Sequence, residues 1–234
     1  MLYRIGIENN LEGRSMAWAL DLPGCFAYGK SADLALGTIP KAIAEYSDWV
    51  SSRNEGVGWF DIDNLELALE ESWEVYTIDD NFDLANEGYE VNAWFRHDWK
   101  PLTAQDIERG MQILTWSRAD LLDAVFGLNP EQLSKKYPGE RWSVEGILRH
   151  VGGTEWWYLN CLGLAFPEDE LPDAAFSRLE RARALLAEVL PTLVGSELIT
   201  GRYGEFWSPR KVLRRLAWHE RDHTWHIRKL IGAM

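Results

Sequence analysis

VLRRLAWHERDHTWHIRKL (Val212–Leu230) decides how this chain is read, because one helix here carries three of its five histidines. At about 100° per residue, His223 is offset from His219 by about 40° and His226 by about −20°, so all three share one face. Val212, Leu216, Ile227 and Leu230 fall on the same stripe, which makes it the core-facing one. A buried imidazole without a partner costs on the order of 1–3 kcal/mol. The rings are therefore either hydrogen-bonded core residues or ligands of a shared metal ion, and the i, i+4 pair His219 and His223 favours the ion. His226 is read as a fourth ligand or as a group orienting one.

His219-Glu220-Arg221-Asp222-His223 also fits the H-E-x-x-H zinc-protease helix, whose Glu is a general base. That motif takes its third ligand downstream, yet only eleven residues follow His223 and the one histidine among them is a single turn away. A third ligand has to come from upstream, which points to His150, beside Ile147 and Val151. His97 has no such setting and is read as a structural residue.

Working outward, residues 101–234 read as four amphipathic helices, an all-α four-helix bundle. Thr103 caps a segment running to about Phe126, and Ser143 caps a second running to about Leu162. Asp173 opens a third, which ends before Pro191. Ser208-Pro209 opens the last, a cap followed by proline at the first helical position.

Residues 1–100 read differently, as a small α+β module. Leu2–Glu8 and Ser15–Leu20 are β-rich runs separated by a turn-type segment, and Leu22-Pro23-Gly24 precedes a third strand at Cys25–Tyr28. Ser31 caps a helix to about Ser51, with Leu34, Ile39, Ile43 and Tyr46 as its stripe. Beyond it, Leu65–Glu71 reads as a short helix, and Ser72–Ile78 and Tyr89–Phe95 as strands.

Charge divides along the same line. Residues 1–100 hold 7 Lys+Arg against 19 Asp+Glu, and residues 101–234 hold 17 against 18. No Lys or Arg occurs between Asn54 and Phe95, so the first module presents an acidic surface that repels a phosphate backbone. Nucleic acid is excluded as a partner on this ground. Asp79-Asp80-Asn81-Phe82-Asp83 lacks the ligand alternation and glycine turn of a calcium loop. Cys25 and Cys161 make no disulfide framework or metal-type pair. MLYRIGIENN has no basic region leading into an apolar stretch, and no apolar run approaches the roughly 18 residues of a membrane span. A cytoplasmic protein without membrane association is expected. Thirteen Trp spread over both halves suit cores, pockets and subunit interfaces alike.

Two resemblances add to these readings. ALDLPGCFAYGKSADLALGTIPKAIAEY (Ala19–Tyr46) resembles the HicB-type fold, which implies a sheet-plus-helix module of a kind often found as a dimer. ERWSVEGILRHVGGTEWWYLN (Glu140–Asn160) and VLRRLAWHERDHTWHIRKL (Val212–Leu230) resemble the second and last helices of the DinB-like superfamily. Those are metal-binding four-helix bundles that include bacillithiol-dependent thiol transferases. The second resemblance implies His150, His219 and His223 as ligands of a divalent ion. It departs from the pattern at Trp225-His226, where relatives often carry Gly-Gln.

Three neutral imidazoles leave positions open, as in reactive sites, and zinc or nickel suits them best. Two chemistries follow. A metal-activated low-molecular-weight thiol attacks a small electrophile, with Arg149, Arg221 or Arg228 holding the thiol's acidic groups. Alternatively, a metal-activated water hydrolyses a substrate, with Glu220 or Glu155 as base unless these are salt-bridged surface groups. A non-enzymatic binding or stress-response protein with a structural metal is the third expectation. The expected partners are a small-molecule substrate and a second copy of the chain.

Overall fold

The computed structural model describes residues 2–56, 58–60, 62 and 64–232. The chain forms two compact units, Met1–Lys100 with Gly201–Arg214, and Pro101–Thr200 with Arg215–Met234.

In the first unit, strand β1 (Leu2–Leu11) turns through Glu12 and Gly13, both left-handed at φ 49° and 75°, into antiparallel β2 (Arg14–Ala19). After Leu22-Pro23-Gly24, β3 (Phe26–Gly29) pairs antiparallel with β2. The Ser31 side chain accepts from the Leu34 amide and caps helix α1 (Ala32–Arg53). This helix buries Ala35, Ile39, Ile43, Tyr46 and Val50 and packs on β2 and β3. Gly29 permits the tight exit, since a Cβ there would lie 2.3 Å from the Ala35 nitrogen.

The expected helix at Leu65–Glu71 is instead the start of β4 (Glu66–Glu74), which pairs parallel with β1 and completes the order β3-β2-β1-β4. Leu65, Leu67 and Leu69 recur at period two, the strand period, and the edge of β1 supplies backbone partners that a five-to-seven-residue helix would lack. A separate pair follows, β5 (Tyr76–Ile78) with β6 (Tyr89–Val91). The returning segment brings a further pair, β7 (Thr200–Arg202) and β8 (Glu205–Trp207).

Buried charges of this unit are partnered. Glu8 accepts from Trp18 Nε1 at 2.9 Å and from the Ala93 amide at 2.8 Å. Asp98 pairs with Arg214 at 2.7 Å, and Lys211 with Glu205 at 2.6 Å.

The second unit is helical. Thr103 and Asp106 form a reciprocal capping box that opens α2 (Ala104–Ala124). Asn129 and Gln132 do the same for a short helix, α3 (Pro130–Ser134), that the periodicity did not suggest. Ser143 caps α4 (Val144–Cys161). Helix α5 (Ala175–Val189) starts without a side-chain cap, because its N-cap residue is Ala174; Asp173, one residue earlier, faces Arg149 and Arg178. The last helix, α6 (Pro209–Leu230), enters this unit at Arg215.

Leu121 of α2 and Val125 just past its end, Val144, Ile147, Leu148 and Val151 of α4, Ala175 and Leu179 of α5, and Ile227 of α6 form one buried cluster. Four helices thus share a core, each aliphatic side chain contributing about 1.5–3 kcal/mol through burial. Helices α4 and α5 approach closely at Gly152, where a Cβ would meet the Leu179 nitrogen at 2.9 Å. Among the described residues, no helix is long and apolar enough to cross a membrane.

Candidate metal centre

The core stripe of α6 sets His219 and His223 one turn apart, and α4 directs His150 at the same point. His219 Nε2 lies 3.0 Å from His150 Nε2 and 3.1 Å from His223 Nε2. Ligand atoms of the three residues all lie within 4.8 Å of one another.

Protons alone do not satisfy this cluster. A neutral Nε2 carries either one N–H or one in-plane lone pair, so His219 can serve one neighbour and not both. His223 Nδ1 is moreover buried without a partner. Burial, the first cause, and then the neighbouring positive groups hold all three rings in the neutral form. The His150 pKa is lowered to about 4 and that of His223 to about 3, while His219 lies well below the usual imidazole range. Three neutral imidazoles aimed at one point are a nitrogen donor set for a divalent cation. Thr154 Oγ1 sits 3.4 Å from His150 Nδ1, where it can accept the Nδ1 proton and leave the Nε2 lone pair inward. Trp142 stacks on the His150 ring at 4.5 Å and 25°.

The other residues singled out from sequence are placed as follows. His226 stands apart from the triad, with Nε2 2.9 Å from Glu140 Oε2. Glu155 and Glu220 are buried, and both are gripped by the same two arginines. Arg149 lines a groove beside His150. Arg228 faces Asp123 at 3.8 Å, and the Arg221 guanidinium lies 5.9 Å from the Trp225 ring centre. His97, read as structural, is buried in the first unit with Nε2 3.6 Å from Asp21 Oδ1.

Sequence reasoning missed Arg118, Arg183, Trp142 and Arg178. Arg118 falls between Leu114 and Leu121, and Arg183 between Leu179 and Leu186, all four leucines being buried. A cation on an apolar stripe was the available signal.

Residues 113–227 match the profile of the DinB superfamily. Comparison with curated proteins returns no match. Among solved structures, the chain is similar to YfiT from Bacillus subtilis, described as a probable metal-dependent hydrolase with an unusual four-helix bundle topology. Identity is 20% and the TM-score 0.44, over 57% of this chain and 90% of that one.

Proposed function

We propose that this chain is a DinB-type metalloenzyme that binds a divalent ion, zinc or nickel, through His150, His219 and His223. Its reaction, in this reading, is transfer of a small thiol to an electrophilic carbon: the S–H proton passes to solvent, the S–C bond forms, and the bond from that carbon to its leaving group breaks, the group departing as an anion such as chloride. The observation that carries the metal site is the convergence of three imidazole nitrogens that no distribution of protons satisfies. Such an ion supplies a Lewis-acid centre with open positions and lowers the pKa of a thiol or water bound there.

The chain's own residues favour the thiol over a hydrolytic water. Glu155 and Glu220, the candidate bases, are each held by Arg118 and Arg183 in charge-assisted pairs of 2.5–2.8 Å. Both oxygens of each carboxylate are thus committed to guanidiniums, which leaves neither positioned to take a proton from a bound water. His226 is occupied by Glu140, which supports an open coordination position and so a reactive centre over a closed structural one. The first unit belongs to the same reading as a HicB-type module through which two copies pair. Its support is the strand, turn, strand and helix order across Ala19–Tyr46.

Plasma mass spectrometry of tag-free protein tests the metal. One equivalent is expected in the parent and less than a tenth in His150→Ala and His219→Ala, and a metal-free parent after zinc and nickel reconstitution refutes the site. With the loaded protein, conjugation of monochlorobimane by added thiols is expected to exceed the background rate. Turnover of 4-nitrophenyl acetate without any thiol, and no conjugation, decides for the hydrolase.

A further inference from the structure

A groove of about 360 Å³ runs along α4 beside His150, lined by Trp142, Gly146, Arg149, Gly153, Trp157 and Arg178 among others. This is within the range of small-molecule sites. Its origin is visible in the sequence. Positions 146, 149, 150, 153 and 157 form one helical stripe on α4, and glycine at two of them leaves the floor without side chains. Trp142, stacked on His150, makes one wall continuous with the metal centre.

The groove also carries two cations. Arg149 Nη2 and Arg178 Nη2 each lie 3.5 Å from the same atom, Asp173 Oδ1. Arg178 is held in place by its Nε, which donates to the Pro172 carbonyl at 2.6 Å. The Asp173 side chain is 94% exposed, and 3.5 Å is longer than the about 2.7–2.9 Å of a charge-assisted hydrogen bond. Two guanidiniums therefore share one loosely held, well-hydrated carboxylate. Asp173 marks a place where a carboxylate fits, while leaving one positive charge uncompensated.

We infer that this groove binds a small substrate with a carboxylate at one end and a flat apolar body. The ligand carboxylate displaces Asp173 from between Arg149 and Arg178, and the body lies along Trp142 and Trp157 towards His150. The assignment deepens the enzymatic reading above and rests on it for the reaction, whereas carboxylate binding itself stands without the metal.

Fluorine NMR on the metal-free full chain tests it with 4-fluorophenylacetate and its neutral analogue, 4-fluorophenylacetamide. The acetate is expected to bind at least tenfold more tightly than the amide. Arg149→Gln and Arg178→Gln should each remove that preference. Asp173→Asn, an exposed change that leaves the fold intact, should raise acetate affinity several-fold by removing the internal competitor. Equal binding of the amide, a preference that survives both arginine substitutions, or weaker binding in Asp173→Asn overturns the proposal. In a second measurement, cobalt-loaded protein should broaden the bound acetate signal relative to zinc-loaded protein. A bound probe equally sharp with either ion overturns its placement beside His150. A chain that takes up no cobalt refutes the metal reading instead, and the carboxylate site is then decided by the first titration.

Discussion

The Arg118 Nε on α2 donates to Glu220 Oε1 on α6 over 2.5 Å, immediately beside His219 in sequence. The same guanidinium reaches Glu155 on α4 at 2.6 Å. Arg183 on α5 makes the matching contacts, 2.5 Å to Glu155 and 2.8 Å to Glu220. Each of the four long helices of the second unit thus contributes one member to a neutral, largely buried square of charges. Spare donors go to the carbonyls of Leu179 and Leu114. Removing one corner strands buried charge, so Arg118→Ala is expected to cost about 3–5 kcal/mol. Urea denaturation checks this, and a loss under 1 kcal/mol shows that the square does not brace the helices. A double-mutant cycle of Arg118→Ala with Glu220→Gln should show strong coupling.

Acid sensitivity has a defined source in the first unit. Burial raises the Asp21 pKa, but the His97 imidazole 3.6 Å away and the hydrogen bonds and charge of Arg4 outweigh it and hold the carboxyl well below its ordinary range. A carboxyl with a depressed folded pKa stabilises the protein above its unfolded value of about 3.9, and the contribution is lost as pH falls further. The parent should therefore lose more stability between pH 5 and the acid range, both ends being about where the linkage begins and saturates, than Asp21→Asn does. Denaturant midpoints across the pH series make the comparison. Parallel curves for the two proteins would remove Asp21 from the acid limb.

The helix starts were legible because Thr103, Ser143 and Ser208-Pro209 act locally: a cap needs only its own first turn. The histidine cluster was legible because an i, i+4 pair on a core stripe defines a direction, and a third imidazole on another core stripe can meet it. What stayed hidden depends on distant partners. Glu66–Glu74 is a strand because β1 offers it an edge about sixty residues away in sequence, an offset read directly from the pairing Leu2↔Glu66. Glu155 and Glu220 read either as bases or as salt-bridged surface groups, because nothing adjacent to either in sequence shows that Arg118 and Arg183 arrive from two other helices. Gly201–Arg214 joins the first unit for the same kind of reason: Arg214 reaches Asp98, and Tyr89 reaches Glu205, each across more than a hundred residues.

Two adjacent glycines of α4 should respond in opposite ways to one methyl group. At Gly152 a Cβ would meet the α5 backbone, the Leu179 nitrogen at 2.9 Å and the Arg178 carbonyl carbon at 3.1 Å. Gly152→Ala must therefore push α4 and α5 apart, at an expected cost of about 1–3 kcal/mol. At Gly153 the nearest neighbour is Arg178 Nη1 at 3.5 Å, an ordinary contact. Gly153→Ala should then stabilise by up to about 1 kcal/mol through helix propensity. Thermal unfolding of the two variants beside the parent is sufficient, and equal shifts would show that the α4–α5 approach is looser than 2.9 Å implies.

Metal binding should appear as stability, and His226 separates the three-ligand arrangement from a four-ligand one. An ion bound only by the folded chain stabilises it by about 2.7 kcal/mol at a free concentration one hundred times Kd. Zinc at that excess should therefore raise the unfolding temperature of the parent, and a chelator should reverse the shift. His223→Ala removes one of the converging nitrogens and leaves His219 facing His150 alone, so its zinc-dependent shift should vanish. His226 instead spends its Nε2 on Glu140, and its ring centre stands 6.2 Å from that of His223. His226→Ala should accordingly keep the zinc-dependent shift to within about 0.5 kcal/mol, the usual range for a substitution away from a buried network. If His226→Ala abolishes the shift as completely as His223→Ala, the ring must leave Glu140 to bind the ion, and the open position required for a substrate is closed.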